Sequence, residues 1–174
     1  MGIDASTKAI AFTIFYNRRP VHWGKVDIVG ADIYEKIGDA NAKMYALFKR
    51  YPVDYVAIEA AAFVNSPQVA IQLAYVYGSI VSVMVAMGCK VITVPAMTWQ
   101  NFIGNAPFKK ADKEALKAEF PGKSTSWYST KGRAIRKQRT MDYFNKKWPL
   151  SLTDNDVGDS MGIAYYAYHS LTRR

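Results

Sequence analysis

Four carboxylates stand out because of where they sit. Asp4 lies in "MGIDASTKAIAFTIFY", where Ile10, Phe12 and Ile14 alternate with Ala9, Ala11 and Thr13 in a strand pattern. A carboxylate among apolar residues needs a partner charge or a metal. Glu59 closes "VDYVAIE", another strand-like segment. Strand side chains alternate faces, so Val56 and Ile58 point one way while Ala57 and Glu59 point the other. Gly2 shares a face with Asp4, so each acid has a very small residue beside it. If the two strands are neighbours, both acids project from the same end into space left open by Gly2 and Ala57. Asp156 and Asp159, in "DNDVGDSMGIAYYAY", are three apart and share one side of a helix. Gly158 and Gly162 border that side. Each costs about 1 kcal/mol in a helix interior relative to alanine, and their spacing predicts close approach of this helix to the sheet.

Ordinary roles explain only part of this set. An aspartate at a helix start caps it or answers its dipole. That accounts for Asp154 and partly for Asp156, but poorly for Asp159 in the second turn. Four converging carboxylates repel one another and cannot all stay ionised without cations. An all-oxygen donor set favours hard ions, Mg2+ or Mn2+, over zinc. Two such ions about 4 Å apart can clamp a phosphodiester, one activating water and the other stabilising the leaving oxygen. The expected reaction is in-line hydrolysis leaving a 5′-phosphate and a 3′-hydroxyl.

The charge distribution points the same way. Twelve lysines and arginines face four acids between Ala106 and Leu150, so this window carries +8 of the chain's net +9. Charge concentrated in one window indicates a polyanionic partner. Lys109, Lys110, Lys131, Arg133, Arg136, Lys137 and Arg139 are candidate DNA contacts, and Lys123, Trp127 and Tyr128 add aromatic rings to the charge. Acids and basic window together predict a nuclease.

These residues need a scaffold. The coarse order is three strands (Met1–Asp4, Lys8–Tyr16, Val21–Ile28), a helix opened by Asp32 and Glu35 as a capping box, and a strand Val53–Glu59. A helix capped by Ser66 with Pro67 at its first position then runs to Gly88, followed by strand Lys90–Val94. "PGKSTSWYSTKG" reads as a mobile loop before a helix from Gly132 to Lys147, and a last helix spans Asp154–Leu171. This pattern predicts an α/β fold, a mixed sheet with helices on its faces.

At 174 residues the chain is expected to form one domain. Its one cysteine, Cys89, cannot form an internal disulfide. With no signal peptide in view, the expected setting is the reducing cytoplasm. Two histidines, His22 and His169, and no C-x-x-C argue against structural zinc. The uncharged stretch Pro67–Cys89 is long enough for a membrane span, but it carries Gln68, Gln72, Ser79 and Ser82 and reads as a helix buried all round in a soluble core, with no membrane partner.

"GIDAST", "VAIEAAAFVNSPQVAIQLAYVYG" and "DNDVGDSMGIAYYAY" resemble the RuvC family of Holliday-junction resolvases, in the ribonuclease H-like superfamily, of viral or phage type. The resemblance implies a five-stranded mixed sheet and a homodimer that nicks two strands of a four-way DNA junction symmetrically, using Mg2+. It implies that Asp4, Glu59, Asp156 and Asp159 are catalytic metal ligands and that Lys137 acts near the scissile phosphate. The chain also departs from the family. Where an aromatic wedge follows the glutamate by three residues, this chain has Ala62, with Phe63 one later. The first strand is short, and Ala106–Thr130 reads as a basic insertion. Three other readings compete: a nuclease of broader branched-DNA range (flaps, Y-junctions), a junction-binding protein without catalysis, and a nucleotide-binding domain. The last arises because "GIDAST" also resembles the first phosphate loop of sugar kinases and actin-like ATPases. Those need two such domains and a second glycine-rich loop, which this chain lacks.

Overall fold

Alternating apolar residues build the first three strands, β1 (Gly2–Ala5), β2 (Ala9–Tyr16) and β3 (Arg19–Asp27). Between β2 and β3, Asn17 and Arg18 take positive φ angles of 48° and 66°, which turn the hairpin in two residues. The computed structural model describes residues 1–61 and 66–172. After β3 come α1 (Ile33–Arg50), β4 (Tyr55–Glu59), α2 (Pro67–Ala86), β5 (Lys90–Val94), α3 (Ala96–Phe102), α4 (Lys110–Glu119), α5 (Thr125–Lys147) and α6 (Asn155–Leu171). The sheet order is β3-β2-β1-β4-β5. β1 runs antiparallel to β2 and parallel to β4, and β4 is parallel to β5. This is the mixed five-stranded sheet that the sequence predicts.

Strand alternation divides the core between two faces. Ile3, Ile10, Phe12, Val56 and Ile58 pack with Met44 and Phe48 of α1 and with Val76, Ile80, Val83 and Met84 of α2. Ala11 and Ala57 point the other way, into a cluster with Trp99 of α3, Phe144 of α5 and Met161 of α6. Small side chains on this second face let α6 lie close to the sheet. Gly2 is the tightest point, since a Cβ there would stand 2.4 Å from the backbone nitrogen of Ala164 and 2.5 Å from the carbonyl oxygen of Ser160. A buried hydrogen bond joins the Thr13 and Ser160 hydroxyls at 2.8 Å.

Several expectations need correction. The glycine that brings α6 to the sheet is Gly2. Gly162 instead makes room for the Trp99 ring, 2.4 Å from where its Cβ would be, and Gly158 faces Met141 of α5. The stretch read as a loop is helical from Thr125 onward, because Ser124 caps it by accepting from the Trp127 amide. α3 and α4 were not foreseen; α4 occupies much of the basic segment. The Asp32 carboxylate accepts from the Glu35 amide as expected, but Glu35 returns to the Ala31 amide and not to that of Asp32.

α2 differs most from expectation. It is long and apolar enough to cross a membrane, yet only 22% of its most apolar window is buried. Val76, Ile80, Val83 and Met84 form one inward stripe, while Ile71, Tyr75 and Val85 are 53%, 50% and 61% exposed. Lack of charge therefore signals an uncovered apolar face here, not burial on all sides.

Candidate active site

The parallel register places the first two acids. Gly2 pairs with Ala57 and Ile3 with Ile58, so Asp4 and Glu59 emerge together at the C-terminal ends of β1 and β4. Both share the face covered by α6, and they line one open cleft of about 760 Å³ with Ser6, Leu73 and Tyr77. α6 delivers the other two from its first turns. Asp154 is its N-cap and accepts from the amides of Asp156 and Val157. The side chain of Asp159 is only 13% exposed.

Electrostatics show that the four acids sense one another. The pKa of Asp4 is pushed up to about 7, first by burial and then by the charges of Glu59 and Asp156. Asp159 also rises to about 7, through burial, Asp4, Glu59 and Asp156, with Lys137 pulling the other way. Burial raises Glu59 as well, partly offset by the hydrogen bond it accepts from Trp99 and by Lys137. Asp156 behaves differently. Burial would raise it, but hydrogen bonds from Lys25 and Lys137 outweigh that and lower it. As placed, no group of three or more His, Cys, Asp or Glu among the described residues could hold a metal ion. The acids are coupled by charge without yet converging on one point.

Ammonium groups occupy part of the space between them. Lys137 Nζ donates to Asp156 Oδ1 at 3.0 Å and lies 3.7 Å from Asp159 Oδ2. Burial acts to lower the Lys137 pKa, but Asp156, Asp159 and Asp4 together raise it. Lys25 of β3 donates to Asp156 Oδ2 at 2.7 Å and to Asp154 Oδ2 at 3.1 Å.

Two of these contacts went unread in the sequence. Lys25 carries no motif. Trp99 looks like an ordinary core aromatic, yet its fully buried indole donates from Nε1 to Glu59 Oε2 at 2.8 Å. Among the candidate DNA contacts, Arg133, Arg136 and Lys137 line a 120 Å³ cavity with Gln100, Asn105, Thr140 and Asp159, directly beside the acids. Arg136 also bonds Gln100. Lys109 and Lys110 open α4, where Lys110 sits 3.8 Å from Glu114. Lys131 lies over the Phe120 ring and Arg139 over Phe108. Phe63, the candidate wedge, lies outside the described residues.

No protein-family profile matches the sequence, and no curated protein does. Solved structures do match. Thermus thermophilus RuvC in complex with a Holliday junction substrate aligns with a TM-score of 0.68 at 14% identity, over 98% of this chain and 93% of that one. The chain is RuvC-like in fold. A second Thermus thermophilus RuvC structure aligns with a TM-score of 0.63, also at 14% identity, over 99% of this chain and 95% of its own. The RuvC-like fold thus extends over nearly the whole molecule.

Proposed function

We propose that this RuvC-like protein is a divalent-metal-dependent endonuclease that resolves four-way DNA junctions by paired nicks. One observation carries the reading: Asp4, Glu59 and Asp159, from three separate elements, lie half-buried near one another, and burial first and neighbouring carboxylate charge second push the pKa values of Asp4 and Asp159 up to about 7. A cation would relieve the repulsion among these carboxylates, and their oxygens suit Mg2+ or Mn2+. Asp4, Glu59, Asp156 and Asp159 would hold the metal. When bound, it would supply Lewis-acid activation of water and of the phosphodiester.

The chain's own residues do the rest. Trp99 fixes one oxygen of Glu59 by hydrogen bonding. Lys137, beside Asp156 and Asp159, is placed to exchange its carboxylate partners for a phosphate oxygen of the substrate. Arg133 and Arg136 extend a positive surface from that point along α5 and bind neighbouring phosphates. The Thermus protein was solved on a Holliday junction, which supports a junction as the substrate here.

Paired nicks need two sites, and α2 offers a seam for a second copy. Ile71, Tyr75, Gly78, Ser82 and Val85 follow alternate spacings of four and three, all on the exposed side opposite the buried stripe. That is the repeat by which helices interlock, and a twofold axis through it would relate two active sites.

A second reading, junction binding without hydrolysis, draws support from the ammonium groups already paired with Asp156. A labelled four-way junction incubated with Mg2+ or with EDTA distinguishes the two. Hydrolysis predicts symmetric nicks with Mg2+, none with EDTA, and retained binding without nicking in Glu59→Gln. Equal nicking by Glu59→Gln would remove Glu59 from the mechanism, and an intact junction throughout would leave a binding protein.

A further inference from the structure

Lys25 stands opposite Ala11 in the β2–β3 pairing, on the face that α6 covers. Its ammonium bridges two aspartates with different tasks. Asp154 Oδ1 accepts from the Asp156 amide at 2.8 Å and the Val157 amide at 3.2 Å, which caps α6, while its Oδ2 accepts from Lys25. The shorter bond from Lys25, 2.7 Å, goes to Oδ2 of Asp156. The remaining oxygen of Asp156, Oδ1, faces Lys137 and through it Asp159. The two oxygens of Asp156 are therefore divided between the sheet and the acid cluster.

We propose that Lys25 is a positioning residue that clamps Asp156 to β3, so that Oδ1 alone is presented to the cation site. This rests on the metal-dependent reading given above. A carboxylate free to turn about its last torsion must be ordered when it binds a cation, whereas one already held by a neighbour on its other oxygen is ordered in advance. Hydrogen-bonded partners of metal-binding carboxylates act in this way and typically change metal affinity by about 10- to 100-fold. Charge alone predicts the opposite sign. An ammonium beside the site repels an incoming cation, so its removal would tighten binding. The direction of the effect therefore separates a clamp from a simple counter-charge. Fold stability is not at stake, because ion pairs this exposed are worth about 0–1 kcal/mol.

The test is Mn2+ binding to the full chain without DNA, followed by the paramagnetic signal of free Mn2+, for the wild type, Lys25→Met and Lys25→Arg. Clamping predicts that Lys25→Met weakens Mn2+ affinity by about 10- to 100-fold. It predicts that Lys25→Arg recovers most of the loss and that melting temperatures in EDTA stay alike. Equal or tighter Mn2+ binding by Lys25→Met overturns the role of Lys25 and leaves the acid cluster standing. Failure of the wild type to bind Mn2+ overturns both this role and the metal-dependent reading.

Discussion

At the residue scale, Asp4 and Asp159 show that the site is built at a cost to the fold. An aspartate in an unfolded chain titrates near 3.9, whereas Asp159 titrates at about 7 in the folded protein. The folded state thus disfavours its charged form. Stability of the metal-free protein falls as pH rises from about 4 to about 7 and stays low above that. Asp159→Asn removes this loss. In EDTA at pH 8 the variant is expected to melt higher than the wild type by at least about 2–4 °C, equivalent to about 1 kcal/mol for a chain of this size. At pH 5 the gap should shrink, because both forms of the folded protein are then largely uncharged at this position. A gap that widened on acidification would contradict the assigned shift. The four acids stood out in the sequence by occurring together: capping explains Asp156 only in part and Asp159 poorly, and Asp4 and Glu59 each end an apolar strand beside a very small residue. Lys25 and Trp99 were not legible. Lys25 sits in an edge strand and belongs to no motif, and it meets Asp154 from 129 residues away. Trp99 reads as core, and only the position of its Nε1 atom reveals a second role.

At the element scale, α6 is set by one glycine of β1. A methyl group at Gly2 would press on the backbone of Ala164 and Ser160, which cannot rotate aside. Gly2→Ala is expected to cost about 2–3 kcal/mol, toward the upper end for overpacked cores, measured as a shift in the urea midpoint. Wild-type stability in that variant would show that α6 is free to slide on the sheet. The facing of Ile3 and Ile58 opposite to Asp4 and Glu59 followed from alternation, whereas the pairing of β1 with β4 entered the sequence reading only as a condition and is given by the sheet itself. The helical start of α5 was missed because Gly, Ser and Thr in "PGKSTSWYSTKG" signal a loop, while the capping by Ser124 depends on a contact three residues on. α2 was misread for a related reason. Periodicity cannot tell a helix covered on both sides from one whose outer face awaits a partner. Replacing Ile71 and Val85 together by glutamate should turn a sedimenting dimer into a monomer without lowering the melting temperature. A wild-type monomer at micromolar concentration would refute the seam.

At the scale of the whole molecule, a negative pocket lies beside a positive helix. Arg133, Arg136 and Lys137 belong to the basic window that carries nearly all of the net charge, and they border Asp159 directly. In the proposed nuclease, that arrangement would bring a phosphate backbone to carboxylates that otherwise repel it. The whole-chain fold was legible because its acids are ordered along the sequence and distributed over β1, β4 and α6. Whether they gather around a cation is the claim on which the rest depends. Anomalous diffraction from crystals soaked in Mn2+ tests it most directly. A shared cation site predicts a peak within about 2–2.5 Å of carboxylate oxygens of Asp4, Glu59 and Asp159, with Asp156 Oδ1 joining them. A peak elsewhere on the surface, with those three side chains still apart and Lys137 still paired to Asp156, would contradict it.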